Sequence, residues 1–269
     1  MRRLPEPFAQ GRTAEVYPYG ESAVLKLFRP GIPVPLIEDE FRVGRRAREA
    51  GIATPLPLER LEIDGRQGIV FERIAGESML AAMLARPERA DGLVRQMADL
   101  HAAVHELDAP PGLPSQRGTL QARIREAQRL TEAEKEAALR RLDALPDAAK
   151  LCHGDFHPDN IMVADGAWII DWMNGASGHP ACDAARTMLL LRYGALPPGT
   201  PRELVSTVDA LRQGLVRGYV TRYLERTGIQ LREVESWILP LAAARLTERP
   251  PEAEQQTFVR LVKTQIGAE

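Results

Sequence analysis

Residues 153–171 constrain this chain more than any other segment, because they read HGDFHPDN, then IMVA, then the pair Asp165-Gly166, then AWII and Asp171. An Asp-Gly pair between two apolar runs predicts a β-hairpin with a two-residue loop. With Ala164 paired to Ala167, Asn160 arrives opposite Asp171 at the open end of the hairpin. An amide oxygen and a carboxylate that meet at one point suit Mg²⁺. The segment therefore predicts a magnesium site.

Asp155 lies just upstream, on the loop that leads into this hairpin. Phosphoryl transfer needs metal ions on the phosphates, a clamp, and a residue that orients the nucleophile and accepts its proton. Asp155 is the candidate for that general base. His153 is interpreted as a structural residue of the loop, and the role of His157 stays open. An Asp-rich turn without function is the alternative for each residue alone, but the joint pattern favours chemistry.

The motif HGDFHPDN followed by IIDW resembles the signature of aminoglycoside phosphotransferases, choline kinases and related small-molecule kinases, whose lobes resemble those of protein kinases. The resemblance runs from about Gly11 to Arg186. It implies an α+β, bilobal protein-kinase-like fold. It also implies that Asp155 is the catalytic base and that Asn160 and Asp171 bind Mg²⁺.

Lys26 stands inside an apolar strand, on the same face as Val24 and Phe28. A lysine is rarely buried unless it is paired, although a lysine at a sheet edge is the alternative. With the helix that carries Glu40, it resembles the strand lysine and helix glutamate of kinases. Glu38 is the alternative partner.

Two further segments resemble the nucleotide-binding parts of the family. The segment QGRTAEVY resembles the loop that covers the phosphates, with Gly11 and Thr13 as binding residues. Taken alone, it is as well explained by an ordinary β-turn. The segment VFERIAG resembles the hinge, where backbone groups near Glu72 and Ile74 would contact the base of ATP or GTP.

The order of patterns predicts two lobes: residues 1–73 bind nucleotide, and residues 74–269 carry catalysis and the substrate site. Short β-rich runs alternate with turn signals before the hinge near residues 73–77, interrupted by one helix over 36–50. Helical spacing dominates afterwards. We expect one polar helical stretch over 120–145 and further helices over 203–226, 231–246 and 252–266.

The two histidines at positions 101 and 105 have the helical spacing of a metal pair, yet we expect no carboxylate and no third histidine near them. We interpret them as residues of an amphipathic helix. Asp183 resembles a family aspartate that caps a helix and braces the catalytic loop.

The charge of the chain points away from two classes of partner. Its net charge is -2, so no positive field favours nucleic acid or an anionic membrane. Two cysteines make no disulfide framework, and we expect a cytoplasmic protein. The predicted partners are a nucleotide and a small molecule with a hydroxyl group.

The sequence predicts a magnesium-dependent phosphotransferase that moves the γ-phosphate of ATP or GTP to that hydroxyl. Two alternatives stay open. One is a pseudokinase scaffold that binds nucleotide without turnover. The other is a metal-dependent phosphohydrolase that uses the alternating histidines and aspartate at 153, 155 and 157, although few further ligands are present.

Overall fold

The computed structural model describes residues 4–194, 196 and 200–267. The chain forms two compact units, and neither is a single stretch of sequence. The first contains Met1–Met79 and Asp159–Gly175, and the second contains Leu80–Pro158 and Ala176–Glu269. The predicted division into residues 1–73 and 74–269 is one by function and stays a prediction. Within the described ranges, no helix has the length and apolar character needed to span a membrane.

The first unit is built on an antiparallel five-stranded sheet with the order β1-β2-β3-β5-β4. Its strands are β1 (Ala9–Gln10), β2 (Ala14–Tyr19), β3 (Ala23–Phe28), β4 (Pro57–Ile63) and β5 (Arg66–Glu72). Helix α1 (Val34–Glu49) connects β3 to β4. The helix starts directly after Pro33, whose backbone is extended. It ends just before Gly51, whose φ of +88° is not helical. This is the sheet with one helix that the sequence predicts.

Alternation along β3 gives the sheet two apolar faces. Phe28 packs with Ile37 of α1 and Ile69 of β5 on one face. Leu25 and Leu27 pack on the other face. Because side chains alternate along a strand, Lys26 lies on the face that α1 covers.

The predicted hairpin forms, but its register differs by one residue from the prediction. Strand β8 (Ile161–Ala164) pairs with β9 (Gly166–Ile169), and Ala164 lies opposite Gly166 rather than Ala167. Asn160 consequently faces Ile170, whose N–H donates to the Asn160 carbonyl at 2.9 Å, and not Asp171.

Two features explain this register. Gly166 has φ +115°, a conformation that only glycine adopts without strain, so the chain reverses at Asp165. The shift also pairs Ile161 with Ile169, which are both fully buried, and a sheet register follows its buried side chains. Strand β6 (Glu77–Ser78), next to the predicted hinge, pairs with β8.

The remainder is mainly helical, as expected. Its helices are α2 (Met79–Ala85), α3 (Ala90–Glu106), α4 (Gln116–Glu126), α5 (Glu132–Ala144), α6 (Pro180–Tyr193), α7 (Arg202–Thr227), α8 (Leu231–Glu235), α9 (Ile238–Arg245) and α10 (Glu252–Gly267), and a short ribbon joins β7 (Lys150–Cys152) to β10 (Ala176–Gly178).

Two predicted helices are each divided in two. The stretch over 120–145 forms α4 and α5, because Thr131 and Glu134 make a capping box that starts a new helix. The stretch over 231–246 forms α8 and α9, with Ser236 and Trp237 between them.

Candidate active site

Lys26 makes the predicted ion pair with Glu40, at 2.6 Å, and a second one with Asp171, at 2.8 Å. All three residues belong to the first unit, although Lys26 and Asp171 are 145 positions apart. The alternative partner, Glu38, pairs with Arg60 instead. The structure therefore brings the predicted lysine, the helix glutamate and one predicted metal ligand into direct contact.

Burial and opposite charges determine how these groups titrate. Burial by itself would lower the pKa of Lys26, but the carboxylates of Asp171 and Glu40 outweigh it and raise the pKa above its ordinary value. Burial raises the pKa of Glu40 to about 7, because Asp171 adds repulsion and Lys26 compensates only in part. The ammonium group thus stays charged at neutral pH.

Asp171 is held in an unusual backbone conformation. It has φ 64° and ψ 69°, the left-handed region, which costs a residue other than glycine about 1–3 kcal/mol. Thr54 lies beside it: its hydroxyl donates to the Ile169 carbonyl at 2.7 Å and accepts from the Trp172 indole N–H at 3.0 Å. Thr54 therefore holds Ile169 and Trp172, the residues that flank Ile170 and Asp171. No sequence pattern predicted this role of Thr54.

The predicted metal ligands Asn160 and Asp171 lie at the same end of the hairpin, although the register is not the predicted one. Asn160 is largely buried, whereas the Asp171 side chain is 35% exposed. Among the described residues, Oε2 of Glu40 is buried and has no hydrogen-bond partner. Asn160, Asp171 and Glu40 thus present oxygen donors, and oxygen donors are what Mg²⁺ selects. The residues present fit this ion.

The predicted phosphate loop connects β1 to β2. Its conformation is closed by a hydrogen bond from Gly11 N–H to the Ala14 carbonyl at 2.8 Å. The Thr13 carbonyl accepts from Arg29 N–H at 2.8 Å, and the Gly11 carbonyl accepts from the Arg29 side chain. The loop is thus an ordered turn.

The predicted hinge begins at the end of β5. Glu72 donates its N–H to the Leu56 carbonyl and pairs through its side chain with Arg48. Over the described ranges, Ile74 makes no backbone hydrogen bond. Its N–H and carbonyl groups are therefore not committed to the fold.

In the second unit, the loop that carries Asp155 is braced by Asp183. The buried Asp183 carboxylate accepts from the N–H groups of His153 and Gly154, at 2.6 and 3.0 Å. The Thr187 hydroxyl also donates to the Phe156 carbonyl at 2.9 Å. The bracing role agrees with the expectation for Asp183, but the helix cap does not: the N-cap of α6 is His179.

We predicted no carboxylate near His101 and His105, and this prediction was wrong. Nε2 of each imidazole lies next to the Asp183 carboxylate, at 3.1 and 3.3 Å, and each Nδ1 lies 2.7 Å from a tyrosine hydroxyl. His101, His105 and Asp183 offer ligand atoms close enough to hold a metal ion. Hydrogen bonds already account for these contacts, so we assign the three residues to bracing the loop.

The carboxylate of Asp155 lies between two basic side chains. Oδ1 is 3.0 Å from Arg186 of α6, and Oδ2 is 3.6 Å from Nε2 of His157. Burial by itself would raise the pKa of Asp155, but His157 and Arg186 outweigh it and hold the pKa well below its usual range. Sequence reasoning missed Arg186, although an arginine within the apolar run of α6 was a usable signal.

Comparison with known families decides the identity. The profile of the phosphotransferase enzyme family (APH) matches residues 5–224. The chain belongs to this family. The matched residues include the five-stranded sheet, the β8–β9 hairpin, Asp155 and Asp171 of this phosphotransferase.

Solved structures show the same fold. The type VIII aminoglycoside-3'-phosphotransferase is 21% identical, with a TM-score of 0.63 over 91% of this chain and 92% of that one. A thermostable mutant of APH(4)-Ia is 15% identical, with a TM-score of 0.67 over 97% and 94%. APH(3'')-Id from Streptomyces rimosus, in complex with ADP and streptomycin, is 20% identical, with a TM-score of 0.57 over 89% and 91%.

These similarities confirm the predicted α+β, protein-kinase-like fold class and a phosphotransferase enzyme. A search of curated protein sequences finds no match.

Proposed function

We propose that this phosphotransferase is a magnesium-dependent kinase, which moves the γ-phosphate of ATP or GTP to a hydroxyl group of a small molecule. The contact of Lys26 with both Glu40 and Asp171 carries the proposal. Burying a lysine between two carboxylates carries a large desolvation cost in a core. The same arrangement suits a lysine that binds the phosphate groups of a nucleotide.

At the nucleotide end, Lys26 donates N–H groups to the phosphates and Glu40 keeps the ammonium group oriented. The turn with Gly11 and Thr13 covers the phosphates. Backbone groups near Glu72 and Ile74 contact the base, and the uncommitted backbone of Ile74 supports this. Relatives of the same fold whose structures contain ADP or AMP-PNP support nucleotide as the donor.

Asn160 and Asp171 would hold Mg²⁺. When bound, the ion neutralises charge on the phosphate oxygens. The left-handed conformation of Asp171 supports this role, because backbone strain in folded proteins is concentrated at functional positions.

At the acceptor end, Asp155 orients the attacking hydroxyl and accepts its proton. Its lowered pKa keeps it ionised and makes it a weak base. That suits a loose transition state, in which the nucleophile needs orientation more than deprotonation. The cytoplasmic location, and the expectation of no nucleic-acid or membrane partner, rest on the sequence alone.

The test separates the two aspartates. Asp171→Asn removes a charge from the proposed magnesium site, so nucleotide affinity in the presence of Mg²⁺ should fall at least tenfold. Asp155→Asn should leave that affinity within twofold of wild type while turnover falls by about 10²–10⁴. Calorimetry with ATP and GTP measures the affinities, and release of the nucleoside diphosphate measures turnover.

Asp159→Asn is the matched control, because Asp159 is next to Asn160 and has no proposed role; both parameters should stay near wild type. Equal loss of nucleotide affinity in both test variants would make Asp155 a metal ligand. Nucleotide binding without turnover would indicate a scaffold. Phosphate release from a substrate without any nucleotide would indicate a phosphohydrolase.

A further inference from the structure

The catalytic loop is linked to a cluster of buried charges in the second unit. Arg186, which contacts Asp155, also binds Glu248 at 2.7 Å. Glu248 accepts from two further arginines, Arg123 at 2.7 Å and Arg245. We call these residues, with Glu254, the arginine cluster. Its side chains are mostly buried, with 10–14% of Arg186, Arg245 and Glu248 exposed.

Every carboxylate of this cluster already has an arginine partner. Asp155 has Arg186, Glu248 has three arginines, and Glu254 has Arg245 at 3.1 Å. Three guanidinium groups thus balance three carboxylates, one of which belongs to the proposed base. A polycation that bound here would have to displace a buried arginine from its carboxylate, and the uncompensated charge makes this costly.

Hydrogen-bond donors, by contrast, are in excess. Each guanidinium offers five N–H groups, whereas each carboxylate accepts hydrogen bonds at about four lone-pair positions. Among the residues that the structure describes, Nε of Arg186 is buried and has no hydrogen-bond partner. Buried donors without a partner are rare in folded proteins, so the described residues leave one donor of the cluster unsatisfied.

Arg123 is the arginine of the cluster that solvent reaches. Its side chain is 31% exposed, and its only hydrogen bond to a described residue comes from Nη1. Burial lowers the pKa of Arg123; the neighbouring Arg186 and Arg245 add to this, and Glu248 and Asp155 oppose it. The exposed part of Arg123 therefore offers an anion N–H groups that no described residue uses.

We propose, on the basis of the proposed kinase function, that the acceptor alcohol carries an anionic group, a carboxylate or a phosphate, and that Arg123 binds this group. The same cluster excludes polycationic aminoglycosides as acceptors. Arg123 is then the residue that selects the charge class of the substrate. A charge-assisted contact of this kind changes affinity by about ten- to a hundredfold.

The experiment uses pairs of acceptors in which a carboxylate replaces a hydroxymethyl group. Glycerate is paired with glycerol and gluconate with glucitol, and kanamycin and choline represent the cationic class. With ATP and Mg²⁺, the anionic member of at least one pair should give a kcat/KM at least tenfold above its neutral partner, and kanamycin should not be phosphorylated. Calorimetry on protein saturated with nucleotide measures binding of the same compounds.

Variants then test the residue. Arg123→Gln should lower kcat/KM for the anionic acceptor at least tenfold and change that for the neutral partner less than twofold. Arg125→Gln is the matched control, since Arg125 lies on the same helix, is exposed and is outside the cluster; it should behave as wild type.

Two results would overturn the proposal: phosphorylation of kanamycin, or the absence of binding by every anionic compound. Failure of the kinase function itself gives a different result, because nucleotide would then either not bind in the presence of Mg²⁺ or bind without turnover of any acceptor. If nucleotide binds and kanamycin is phosphorylated, the kinase function stands and only the anionic acceptor is excluded.

Discussion

At the scale of single residues, Thr54 shows how a side chain with no proposed role in binding or catalysis can hold the backbone on both sides of Asp171, a proposed metal ligand. It is 1% exposed and hydrogen-bonds to the residues on both sides of the Ile170–Asp171 step. Because Asp171 is in a strained conformation, neighbouring contacts must hold it there. Thr54 supplies two of those contacts.

Replacing Thr54 should therefore affect both stability and binding. Thr54→Val keeps the shape but leaves the Trp172 N–H and the Ile169 carbonyl without this partner. We expect a loss of about 1–3 kcal/mol in the free energy of unfolding, measured in urea. Nucleotide affinity in the presence of Mg²⁺ should fall as well. Thr54→Ser restores the hydroxyl and should recover most of both; a Val variant equal to wild type would contradict this role.

At the scale of elements, buried polar contacts connect three helices to the loop that carries Asp155. His101 of α3 lies between Tyr219 of α7 and Asp183 of α6, and its ring stacks on Phe156 of the loop. Asp183 can only accept, since its pKa is held well below the ordinary value. Nε2–H of His101 therefore donates to Asp183. Because the lowered pKa of His101 keeps the imidazole neutral, Nδ1 carries no proton and accepts from the Tyr219 hydroxyl.

The neutral imidazole predicts how stability depends on pH. Burial, aided by the neighbouring His105, lowers the pKa of His101 to about 3, against about 6.5 in the unfolded chain. Below pH 6.5 the unfolded state binds a proton that the folded state does not. Stability is thus complete above pH 6.5 and falls as the pH drops towards 3. The loss at pH 5 should be about 2 kcal/mol from this group.

Urea unfolding of the wild type and of His101→Gln at pH 8 and pH 5 isolates this contribution. The variant should be less stable at pH 8, because it loses buried contacts, but its stability should fall less between the two pH values. Titrating groups that do not interact with His101 cancel in the comparison. An identical fall in both proteins would mean that His101 takes up its proton in the folded state.

At the scale of the whole molecule, the first unit is assembled from two distant parts of the chain. Residues 159–175 contribute β8 and β9, which pair with β6, and they supply the Asp171 that binds Lys26. Ile169 of the same segment donates its N–H to the Ala53 carbonyl at 2.8 Å. The sheet and α1 are therefore incomplete without sequence from beyond residue 150.

A fragment of residues 1–79 should accordingly fail to fold stably by itself. Because Ser78 lies opposite Met162 in an antiparallel pair, a short Gly/Ser linker can join Met79 to Asp159. Such a fragment, ending at Gly175, should fold. Amide dispersion in NMR spectra and cooperativity of thermal unfolding compare the two. A well-dispersed spectrum from residues 1–79 alone would show that the hairpin is dispensable for folding.

Local sequence was enough to predict the secondary-structure elements, the pairing of Lys26 with Glu40 and the family to which the chain belongs. Strands and helices follow from periodicity and from caps that lie within a few residues, as for β3 and α1. Two of the errors were of the same local kind: Gly166 moved the hairpin register by one residue, and the capping box at Thr131 divided a predicted helix. A third error, the carboxylate that was not expected beside His101 and His105, concerns a contact between distant residues.

Which distant residues meet depends on the tertiary packing of the chain. The contacts of Thr54 with Trp172, of His101 with Asp183 and of Arg186 with Asp155 join positions 118, 82 and 31 residues apart. No local periodicity encodes such contacts, because they depend on how buried surfaces pack and on where buried charges find partners. The candidate catalytic residues could thus be read from a motif, whereas the side chains that hold and neutralise them could not.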